Sequence, residues 1–169
     1  MVFDDSLHIF GGSDWNGYGE NVLRSSEIIK KDGTVTKSVD LPIKLSDHAM
    51  VLVNDSVSLI TGGNSNLEST WYYNHITQEF KKGPNMLKGR NSHEIGILID
   101  HGTNQKIVAV AGGRRGYTSI DSTEFLINGE WIQGLYDRAS YILVSKIFES
   151  QIVTSQSSCQ ERPLQMFIS

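Results

Sequence analysis

Arg90, Arg114 and Arg115 carry the most directed chemistry in this 169-residue chain. A guanidinium presents a planar fork of donors that grips a carboxylate or phosphate with two parallel hydrogen bonds. Arg114 and Arg115 are adjacent, directly follow two glycines, and are followed by Tyr117. Arginine and tyrosine are the residue types enriched at interface hot spots. The group therefore suits an acidic peptide held on a loop. The plainer reading of each arginine is a solvated surface residue, and for Arg90 a cap on the turn between two sheets.

Other chemistry is sparse. The stretch Gly112-Gly113-Arg114-Arg115-Gly116 is glycine-rich, but it lacks the Lys-Ser/Thr ending and following helix of a phosphate loop. No Ser-His-Asp order and no zinc-helix motif occurs. Cys159 is the only cysteine, which excludes an intramolecular disulfide or a cysteine-based zinc site. Asn54-Asp55-Ser56 is a formal glycosylation acceptor and more simply a turn. Net charge is −4, which argues against a nucleic-acid or membrane-surface binder. No apolar run reaches the length of a membrane span, and Met1-Val2-Phe3-Asp4-Asp5 does not read as a signal peptide. A cytoplasmic protein with no cofactor and no bound metal is expected.

The elements that must position these residues are set by a repeat. Gly11-Gly12, Gly62-Gly63 and Gly112-Gly113 each follow a short apolar run and are spaced about 50 residues apart. Glycine lets the backbone turn with φ > 0 and pass close to a neighbour. Runs such as Ile107-Val108-Ala109-Val110-Ala111 show little alternation, as suits a strand covered on both faces. Hairpin signals recur at Asp32-Gly33 and Asn128-Gly129, and a turn at Asn54-Asp55-Ser56. The expected fold is all-β: three four-stranded antiparallel sheets at about residues 1–40, 41–86 and 87–134. Residues 135–169 are expected to be a degenerate or disordered tail. His48 and His93 occupy equivalent points of the second and third repeats. A metal site there needs a third ligand, and a hydrogen-bonded structural position near a strand start is the simpler reading.

The second repeat carries Gly62-Gly63, then Tyr73 and Phe80 seven apart, then Met86, Arg90 and His93. In the third, Phe125 and Trp131 take the aromatic positions, and in the first only Ile29 and Val35 stand near them. On these residues the chain resembles the kelch-repeat β-propeller family over roughly residues 1–134. The resemblance implies propeller blades, with a partner held on one face by the loops after each Gly-Gly and by the segments leading into each first strand. The matching residues are Asp14, Trp15, Asn64, Asn66, Arg114, Arg115 and Tyr117, with Ser46, Asp47, Arg90, Asn91 and Ser92 from the lead-in segments.

The resemblance further implies a non-enzymatic protein-binding module, such as the substrate-recognition part of a cullin-type ubiquitin ligase adaptor or a cytoskeletal, actin-binding scaffold. The alternative is part of a kelch-type enzyme, an oxidase or a sugar isomerase. The oxidase needs a cysteine inside a blade, and Cys159 lies beyond the matched region. Propellers close with roughly four to eight blades. Three blades are therefore expected to belong to a fragment of a longer propeller, a truncated product, or an assembly of copies. Open sheet edges are expected to promote self-association.

Overall fold

The computed structural model describes residues 1–15, 17–100 and 102–134. The expected tail, residues 135–169 with Cys159, lies outside the described residues. The described chain begins with β1 (Val2–Phe3) and β2 (Ser6–Phe10). A short ribbon of β3 (Ser13–Trp15) and β4 (Glu20–Val22) follows the first glycine pair, and β5 (Ser26–Lys30) and β6 (Val35–Lys37) complete a four-stranded sheet in the order β1-β2-β5-β6. The second sheet is β7 (Ala49–Leu52), β8 (Val57–Thr61), β9 (Thr70–Asn74) and β10 (Glu79–Lys82), in sequence order. The third comprises β11 (Glu94–Asp100), β12 (Gln105–Ala111), β15 (Thr123–Ile127) and β16 (Glu130–Gly134), with a ribbon of β13 (Arg114–Arg115) and β14 (Thr118–Ser119) after its glycine pair. The described residues contain no helix long and apolar enough to cross a membrane.

Local chemistry sets the turns. The Asn54 side-chain oxygen accepts the amides of Ser56 at 3.0 Å and Val57 at 2.8 Å, which closes the β7–β8 turn. Asn128 and Gly129 both take positive φ, 52° and 84°, as a two-residue hairpin turn requires. Residues 1–98 and 106–134 form one compact unit, and residues 99–105 belong to a second. Within that second set, the Asp100 carboxylate accepts the Gly102 amide at 2.9 Å and the Thr103 hydroxyl at 2.6 Å.

Register relates the three sheets residue by residue. The residue before each glycine pair faces Ser26, Thr70 and Thr123 in turn: Phe10↔Ser26, Thr61↔Thr70, Ala111↔Thr123. Three residues further on, Ile29, Tyr73 and Leu126 occupy one equivalent place, opposite Val35, Phe80 and Trp131. This corrects the spacing-based match of Phe125 with Trp131. Phe125 stands opposite Ile132, and the tight Asn128-Gly129 turn puts Leu126 across from Trp131. A shift of one residue in a strand moves a side chain to the other face.

The second sheet is covered on both faces. Ile60 and Tyr73 pack with Phe10, Leu41 and Leu45, while Leu59 packs with Met86, Val108, Val110 and Trp131. Adjacent residues on β8 thus serve opposite cores, which is why its apolar run does not alternate. Tyr73 and Phe80 fill the space toward the first sheet, their ring centroids 4.7 Å apart, with Phe10 at 4.8 Å from Tyr73. His8 and His75 are buried in the same layer. His75 shares a hydrogen bond with the Ser58 hydroxyl at 2.7 Å and lies 3.3 Å from His8 through their Nδ1 atoms.

Candidate functional site

Both glycines of every pair lie in the left-handed region. Gly62, at φ 63°, shows the reason most clearly. A Cβ there collides with the Arg90 carbonyl oxygen and meets the His93 ring at 2.8 Å. The chain can turn and press against the next connector only without a side chain. The amide of Gly12 donates to the Leu45 carbonyl at 2.7 Å, and that of Gly63 to the Arg90 carbonyl at 3.0 Å. The Asn64 amide reaches the Ser46 carbonyl at 2.9 Å, and Asn91 and Arg114 exchange two backbone hydrogen bonds, each 2.9 Å. Ser92 donates to the Asp47 carbonyl at 2.9 Å. Connectors and post-glycine loops are thereby laced into one strip.

Side chains continue the strip. Asn64 Nδ2 donates to Asp47 Oδ2 at 2.7 Å and to Ser46 Oγ at 3.2 Å, and Asn64 Oδ1 accepts from Asn91 Nδ2. Asn64, Asn91 and Arg114 are therefore brought together. Arg115 pairs with Glu68 at 3.5 Å, both side chains well exposed. Such a surface pair contributes about 0–1 kcal/mol and leaves the guanidinium open to other anions. The β13–β14 ribbon pairs Arg114 with Ser119 and Arg115 with Thr118, and lifts Tyr117 fully into solvent at its turn. A groove of about 380 Å³ lies against it, lined by Lys88, Gly89, Arg115 and residues 118–121.

Arg90 does not join this surface. Its side chain is wholly buried. Nη1 donates to the carbonyls of Gly112 at 2.8 Å and Ser122 at 2.9 Å, and Nη2 to Glu124 Oε1 at 2.7 Å. Arg90 is a structural tie between a connector and the third sheet, so it is withdrawn from the candidate contact set. Ser46 is likewise buried, whereas Asp14, Trp15, Asn66, Asp47 and Ser92 are exposed.

No protein-family model matches this chain, and no curated protein matches it.

His48 and His93 lie directly beneath the strip. His93 shares a hydrogen bond with the Thr61 hydroxyl at 2.8 Å. Burial, with the charges of Arg90 and His48, pushes its imidazole down to about 4. Burial also lowers His48, against the opposing pull of Asp47. Among the described residues no group of three His, Cys, Asp or Glu is placed to hold a metal ion.

Several members of the site were not singled out from sequence: Glu68, Lys88 and Asp121 reach it only through the fold. Asp47 and Ser92, at equivalent connector positions, adopt φ 52° and 48°. Left-handed backbone away from glycine costs about 1 kcal/mol or more and gathers at functional sites. Asp47 carries a weak sequence signal for this conformation, Ser92 none.

Proposed function

We propose that this chain is a non-enzymatic protein-binding module of the kelch-propeller type, which holds an acidic peptide segment on the strip formed by its connectors and post-glycine loops. The contact residues are Asn64, Asn91, Arg114, Arg115 and Tyr117, with Lys88 at the groove. The observation that carries the reading is the convergence of Asn64, Asn91 and Arg114 through direct hydrogen bonds, beside a ribbon that holds Arg115 and Tyr117 in solvent.

The chemistry agrees with the placement. Arg114 and Arg115 offer forks to carboxylates, Tyr117 offers a rigid aromatic, and the asparagines offer adaptable hydrogen bonds. An acidic ligand meets Arg114 directly and takes Arg115 in competition with Glu68, whose exposed pair with it is weak. Three four-stranded sheets stacked through equivalent positions support the propeller reading. A role as the recognition part of a ubiquitin ligase adaptor, or on a cytoskeletal scaffold, follows from the resemblance and belongs to the same proposal. Selection of a random peptide display library on the protein is the test. Acidic peptides enriched on the wild type and absent from an Arg114→Glu, Arg115→Glu selection support it; the same peptides enriched on both proteins refute it.

A further inference from the structure

We infer that the outward face of the first sheet docks onto the outward face of the third sheet of a second copy of this chain. The inference is independent of the peptide surface and rests on the register relation between the sheets. In the second sheet, Ile60, Tyr73 and Phe80 face the preceding sheet and pack in the core shared with it. In the third, the equivalent residues Val110, Leu126 and Trp131 pack against the second. Their equivalents in the first sheet are Ile9, Ile29 and Val35. Among the described residues no sheet covers them: Ile9 is 41% and Val35 55% exposed.

The apolar row is continuous. Val2 pairs with Leu7, Leu7 with Ile29, and Ile29 with Val35, so one line of aliphatic side chains crosses all four strands. Contiguous exposed apolar surface of this kind marks an interaction site. The two internal interfaces say what such a face accepts: the opposite face of a sheet of the same repeat. The third sheet presents one. Its outward row runs Ala109, Phe125, Ile132. At the place of Ile132 the first and second sheets carry Thr36 and Lys81, so the third is apolar where they are polar. Ile132 is 37% exposed and Leu98 44%.

The contact joins unlike faces and is heterologous, so it closes if the rotation permits. Two copies supply twice the three sheets seen here, inside the roughly four-to-eight range at which such sheets form a ring.

Sedimentation velocity of the full chain, under reducing conditions, tests this with Leu7→Glu and Ile132→Glu. A wild-type dimer is expected, and each variant alone is expected to be monomeric with an unchanged β-sheet circular-dichroism spectrum. An equimolar mixture of the two variants recovers a weaker dimer, because one of its two contacts is intact. If either variant loses its spectrum, Leu7→Ser and Ile132→Ser replace them. A monomeric wild type at every concentration overturns the inference. So does a dimer that survives both substitutions. An Ile132→Glu variant that stays dimeric while Leu7→Glu is monomeric also overturns it, since the first-sheet face then meets its own copy.

Discussion

The carboxylate of Glu124 accepts the amides of Leu87 at 2.7 Å and Lys88 at 2.9 Å while it holds Arg90. Both charged side chains are fully buried. Removing one member of such a pair leaves an uncompensated charge and costs about 3–5 kcal/mol. Arg90→Met is therefore expected to lower unfolding free energy by that amount, measured by urea titration. Pairing it with Glu124→Leu should recover little. The Gly112 carbonyl and the Leu87 and Lys88 amides then lack partners, and each costs about 1–3 kcal/mol. Sequence could not reveal this, because an arginine's type says nothing of its surroundings and Glu124 lies far along the chain. Histidines supply the pH dependence. His75 and His93 are pushed down to about 4, the first by burial and the neighbouring His8, from an unfolded value near 6.5. Between those values the unfolded chain binds protons that the folded one refuses. Stability is thus full above about pH 6.5 and falls as pH drops toward 4. The urea midpoint should be lower at pH 5 than at pH 7.5, and a midpoint independent of pH contradicts the assignment.

Element by element, the glycine pairs define the architecture. Gly62→Ala meets both left-handed strain and the Arg90 carbonyl, whereas Gly33, at φ 85°, has open space around its missing Cβ. Strain alone costs about 1–2 kcal/mol. Gly33→Ala is expected to lose about that much and Gly62→Ala clearly more, read from thermal or urea unfolding. Equal losses contradict the close approach. Strands and their turns were legible in sequence, because Asn54, Asn128 and Gly129 act on their own neighbours. The β3–β4 and β13–β14 ribbons were not, since Ser13–Trp15 and Arg114–Arg115 carry no alternation and form strands only through their partners. The Phe125–Trp131 match failed for a similar reason: counting residues ignores the turn that sets register.

At the scale of the whole molecule, function depends on where the connectors and loops meet. The glycine repeat announced that these segments share a place, and Asn64, Asn91 and Arg114 do meet. Composition did not separate Arg90, held inside, from Arg114 and Arg115, which stand in solvent. The most direct measurement is fluorescence anisotropy of an acidic peptide taken from the display selection, titrated with the wild type and two double variants. Arg114→Glu with Arg115→Glu is expected to weaken binding by about tenfold or more, roughly 1.4 kcal/mol, and wild-type affinity is expected to fall as salt rises. Lys30→Glu with Lys31→Glu, at the exposed β5–β6 turn, removes the same charge and is expected to change affinity by less than about twofold. Unchanged affinity in the arginine variant, or an equal loss in the lysine variant, contradicts a binding strip at this place.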